Sequence, residues 1–93
     1  LIAEALGDKK VIILQNHGIL TTGPSVDIAL WFYTSMERCC QAQLMADAAG
    51  KTQLIPHDTA IKTRSFIAND IAAWASFQPA FDMICKKEPD LFD

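Results

Sequence analysis

Cysteine is scarce in this chain: only Cys39, Cys40 and Cys85 occur among 93 residues. An odd count, with two members adjacent so that on a helix they point in different directions, argues against a disulfide framework. The three are expected to be reduced, mostly buried, small apolar residues. Basic runs are missing too. The net charge of −3 comes from scattered acids and bases, with no cationic series that could neutralise successive phosphates, so nucleic-acid binding is set aside. Long apolar runs are absent: residues 11–14 and 28–33 fall far short of the ~20 residues needed to cross a bilayer. The opening residues do not form a signal peptide, because Glu4 and Asp8 interrupt the apolar run and no basic start or small-residue cleavage site is present. A cytoplasmic location is the resulting expectation. Glycine and proline number four each, so the places where they fall carry information.

Apolar residues make up 51% of the chain and charged residues 20%, the composition of a packed domain. Residues 1–93 are read as one unit, and roughly 60–65% burial of the unfolded surface would leave it marginally stable alone. Leu1, Ile2, Ala5 and Leu6, closed by Gly7, resemble the last turns of a helix that starts upstream, so the unit is expected to be partial. Val11, Ile12, Ile13 and Leu14 form a continuous β-branched run, as in a strand covered on both faces. Gln15, Asn16, His17 and Gly18 then favour a turn, and Ile19 to Thr22 supply a second short strand. A hairpin with His17 at its tip is the simplest geometry.

Ser25 is a good N-cap and Asp27 suits the positive end of a helix dipole; nothing interrupts the pattern until Gly50, giving a helix of about 24 residues. Two adjoining apolar rows run along it, one through Ala29, Phe32, Met36, Cys39 and Ala46, the other through Val26, Leu30, Tyr33, Cys40, Leu44 and Ala48. The helix is therefore expected to be mostly buried, and Glu37, lying within that surface, to need a donor or a cationic partner. Pro56 holds Ile55 extended, Asp58 can cap a helix over residues 59–75, and Pro79 should stop or kink it. A further helical piece over residues 80–87 would end at Pro89, with Leu91 and Phe92 as apolar anchors. Two strands alone make a weak sheet, so more strands are expected from further chain or a partner.

His17 is the principal candidate for chemistry, since it follows a buried strand and precedes a glycine that permits close approach of another group. Zinc requires three or four ligands, however, and the only other histidine, His57, lies beyond the long helix without ligand spacing. From spacing alone, a hydrogen-bonded turn histidine and a metal ligand both stand. His57 reads as a surface residue beside a cap. Trp31 and Trp74 fit apolar helical patterns better than substrate platforms, and Lys86 and Lys87 complement a helix C-terminus.

The stretch Leu14-Gln15-Asn16-His17-Gly18-Ile19-Leu20, then Thr22-Gly23-Pro24-Ser25 and a long helix bearing Met36-Glu37 and Ala46 to Ala49, resembles the signature of the class II aldolase/adducin family. The resemblance covers residues 10–50 most closely. It implies an α/β fold, with residues 1–93 forming the C-terminal portion of a three-layer α/β/α domain. It also implies a zinc ion held by three histidines: two from an upstream His-x-His, the third from the Asn-His-Gly turn, here His17. In such enzymes zinc stabilises an enediolate while an upstream Glu moves the proton. Neither of those upstream elements lies in these 93 residues, so the catalytic residues stay unknown; Glu37 matches the family's helix Glu and is expected to be structural.

The expected function is thus part of a zinc-dependent aldolase-type lyase, or a related carbanion-forming decarboxylase or epimerase, acting on a small sugar-like or sugar-phosphate substrate and inactive as this piece alone. Homo-oligomerisation, as a tetramer, follows from the same resemblance. The alternative is a non-catalytic adducin-like assembly module, in which His17 only stabilises the turn.

Overall fold

The computed structural model describes residues 1–93 and places seven elements along the chain: α1 (Ile2–Leu6), β1 (Val11–Leu14), β2 (Gly18–Thr21), α2 (Val26–Ala49), α3 (His57–Ile67), α4 (Asp70–Lys87) and a short 3-10 turn (Pro89–Phe92). The expected hairpin forms. Its strands pair antiparallel with Val11 opposite Thr21 and Leu14 opposite Gly18, and Thr22 extends the ladder by donating its N–H to the Lys10 carbonyl at 2.9 Å.

Helix α2 has the expected 24 residues and runs from Ser25, which is extended, to Gly50. It packs against both strands and against α4. Two features lock its first turn to β2. The Thr21 hydroxyl donates to the Ala29 carbonyl at 2.8 Å. Gly23 lies so close that a Cβ there would stand 3.0 Å from both the Ala29 nitrogen and Ile28 Cγ2. Only Ile28, Phe32 and Ala73 are buried, with Val11, Trp31 and Ala68 packed around them.

Helix α2 is not mostly buried in this chain. Val26, Leu30, Tyr33 and Leu44 from one of its apolar rows are exposed, because the hairpin and α4 reach only the side of α2 that carries Ile28 and Phe32. Glu37 is exposed as well, so hydration supplies what a buried partner would have had to supply. The cysteines are free, as expected, but Cys39 is exposed and the other two are half-buried. Strand β1 is only partly covered, and Ile13 is exposed.

The helix expected over residues 59–75 is divided in two. Ala68 and Asn69 leave helical geometry, and the Asn69 side chain closes one helix while opening the next. Its Nδ2 donates to the Phe66 carbonyl at 2.7 Å, and its Oδ1 accepts the Ala72 N–H at 2.9 Å. Pro79 neither stops α4 nor separates residues 80–87 from it. The missing N–H leaves the Ala75 carbonyl without a helical partner, but Ala75 is exposed, so water can take that bond. Phe92 meets Phe81 edge-on with ring centroids 6.3 Å apart, but Phe92 stays largely exposed and Leu91 half exposed, so the apolar anchoring expected of the terminus is only partial.

The accessible surface is 7762 Å², against about 5,400 Å² expected for a compact monomer of this mass. The radius of gyration is 15.8 Å, where a compact chain of this length would have about 12 Å. Much apolar surface therefore stays uncovered, including Phe66 and Ile71, each about four-fifths exposed. No helix is long and apolar enough to cross a membrane.

Candidate functional site

The tip of the hairpin is built from backbone constraints. Asn16 has φ 60° and is the one non-glycine residue with positive φ; asparagine tolerates that region better than other side chains. A negative φ at Gln15 followed by a positive one at Asn16 is the sign pattern of a type II turn. The His17 N–H donates to the Leu14 carbonyl at 3.1 Å and closes the turn. Gly18 follows with φ 128°, a conformation that favours glycine.

His17 is exposed at this tip, and its ring is not free to spin. Nδ1 lies 3.1 Å from the Gln15 carbonyl oxygen. Because a carbonyl only accepts, Nδ1 carries the proton in that bond, and in the neutral ring Nε2 keeps its lone pair. This suits a metal ligand, since ligating histidines commonly donate their other ring N–H to a carbonyl that fixes the tautomer. One imidazole is a single ligand, though. No group of three or more His, Cys, Asp or Glu side chains in the chain is placed to hold a metal ion. His57 begins α3, which packs only against α4, so the fold does not bring the two histidines together. Trp31 joins the core margin, whereas Trp74 is half exposed, a departure from the packing role expected of it.

Two other places on the surface offer less. At the opposite end of β1, Lys9 donates to Asp8 and holds its carboxyl below the ordinary value. Lys10 sits 5.1 Å from the centroid of the Phe32 ring and 3.7 Å from Asp70. Asp8, Lys9, Lys10, Phe32 and Arg64 line a cleft, and two of its three cations are paired, Lys9 with Asp8 and Lys10 with Asp70. Along α2, Met36, Cys39, Cys40, Gln43 and Leu44 border a shallow, largely apolar hollow, whose one polar side chain, Gln43, donates to Asp47. Sequence reasoning located His17 but missed the Gln15 carbonyl as its partner. The Asn-His-Gly order was the available signal, since residues that tolerate positive φ flank the histidine on both sides.

The fold and the histidine-bearing turn define an α/β domain of the aldolase type, and the comparisons agree. The family described as class II aldolase and adducin N-terminal domain matches residues 1–44. The L-fuculose 1-phosphate aldolase of Glaciozyma antarctica superposes with a TM-score of 0.90 at 40% identity, over 96% of this chain and 36% of that one. Decarboxylase NovR of Streptomyces niveus is 40% identical over 97% of this chain and 33% of its own length. The 4-hydroxy-3-prenylphenylpyruvate oxygenase/4-hydroxy-3-prenylbenzoate synthase of Streptomyces roseochromogenus subsp. oscitans is 39% identical over 97% of this chain and 32% of its own length. The chain belongs to the class II aldolase/adducin family. It spans about a third of the length of these relatives.

Proposed function

We propose that the chain is part of a zinc-dependent lyase that breaks a carbon–carbon bond in a small sugar-like or sugar-phosphate substrate, with His17 as one of the metal ligands. The observation that carries this reading is the His17 ring, exposed and bonded through Nδ1 to the Gln15 carbonyl, which leaves the lone pair of the neutral ring on Nε2. Relatives named as an aldolase and as a decarboxylase support the reaction class. Both reactions leave an electron pair on carbon and need a sink for it. Bound zinc would supply that sink as a Lewis acid on a substrate oxygen.

The chain's own contribution is to hold one imidazole in a fixed tautomer on a braced hairpin. The remaining ligands and the proton-moving acid lie outside these residues, so the piece by itself is inactive. The uncovered apolar surface supports association with further chain or with like subunits, as a cytoplasmic homo-oligomer.

Zinc measured by elemental mass spectrometry on the full-length protein and its His17→Ala variant tests the reading. About one zinc per subunit is expected, falling to background in the variant together with aldol cleavage. Unchanged zinc and turnover in His17→Ala would overturn it. Absence of metal from both proteins would favour the adducin-like assembly reading, in which the histidine only steadies the turn.

A further inference from the structure

The orientation of one peptide group decides what His17 can offer. The peptide between Gln15 and Asn16 lies at the centre of the turn, and the sign of φ at the third turn residue distinguishes its two orientations. With Asn16 at φ 60°, the Gln15 carbonyl oxygen faces the His17 ring and accepts from Nδ1 at 3.1 Å. A right-handed residue at position 16 would turn this peptide over and carry the carbonyl away from the ring. Nδ1 would then lose its acceptor, and the ring could adopt the opposite tautomer, with the proton on Nε2 and no lone pair there for a metal.

Resting on the zinc reading above, we infer that Asn16 is a positioning residue: its left-handed backbone aims the Gln15 carbonyl at Nδ1 and so presents Nε2 of His17 as the ligating atom. The role belongs to backbone conformation, so it makes a distinctive demand on substitutions. Glycine, which enters the left-handed region freely, should replace asparagine. Alanine should do so poorly, and valine, branched at Cβ, worst.

Two readouts test this in the full-length protein. Side-chain nitrogen NMR of the metal-free protein, labelled at histidine and assigned with His17→Ala, reports the tautomer directly. Wild type and Asn16→Gly should carry the proton on Nδ1, whereas Asn16→Ala and Asn16→Val should move it progressively to Nε2. Zinc affinity, measured by competition with a chelating dye, should fall about 10- to 100-fold in Asn16→Val and remain near wild type in Asn16→Gly. Should Asn16→Val fail to fold, Asn16→Ala gives the same test with a smaller left-handed penalty. A wild-type ring protonated on Nε2 would overturn the inference, as would an unaltered tautomer and affinity in Asn16→Ala. If no zinc binds to wild type, the metal reading fails while the tautomer series still decides the role of Asn16.

Discussion

The hairpin with the first half of α2 and the helical pair α3–α4 are held in different ways. In the first region, constraints from separate parts of the chain converge: the strand ladder, the Thr21–Ala29 bond, the close approach at Gly23, and the burial of Ile28 and Phe32. In the second, α3 touches only α4, and α4 reaches the core chiefly through Ala73. Phe66, Ile71 and Trp74 remain largely exposed. The candidate ligand stands in the region whose backbone is over-determined, as a ligand that must hold its direction requires. The helical pair instead presents apolar surface, and the family match, confined to residues 1–44, follows the same division.

The largest expected effect breaks the first region at its centre. Phe32 is 8% exposed and lies under the Lys10 ammonium, so Phe32→Ala should cost about 3 kcal/mol or more through lost burial and the cavity left behind. Phe66→Ala, at 80% exposure, should change stability by less than about 0.5 kcal/mol unless other chain or a subunit covers it. Urea unfolding of the full-length protein measures both. A large loss at Phe66 would show that the second region is buried in the assembled protein, and would reverse the comparison. Gly23→Ala comes next. Its Cβ would press on a backbone nitrogen and on Ile28, and neither can move without shifting the start of α2; a loss of about 1–3 kcal/mol is expected, read from the same unfolding curves.

The same contrast explains what the sequence made legible. The hairpin and α2 were readable because their signals are local and strong: a β-branched run, an Asn-His-Gly turn, and a helix bounded by Ser25 and Gly50. Burial of α2 falls short of its apolar periodicity because that periodicity marks what a helix can bury, and the hairpin and α4 reach only one side of it. The tautomer-fixing bond from Nδ1 to Gln15 depends on one peptide orientation, which no spacing pattern encodes. In the helical pair, no glycine or proline falls between Pro56 and Pro79 to mark the break at Ala68, and Pro79 signals a stop where the helix continues.

That break supplies the smallest test. Asn69 uses both ends of its amide, donating to Phe66 and capping Ala72, so Asn69→Ala removes two exposed hydrogen bonds and should cost about 1 kcal/mol. A cap loss at the junction of α3 and α4 should act locally. Amide hydrogen exchange should quicken in the first turn of α4 and the last turn of α3, while amides of the hairpin keep their protection. The sharper question is whether zinc content changes, because nothing in the junction touches the His17 turn. Zinc held at its wild-type level alongside faster exchange at residues 66–72 would show that the two regions are energetically separate. A fall in zinc would mean that α4 supports the metal site through α2, and the constraint on His17 would then extend across the whole chain.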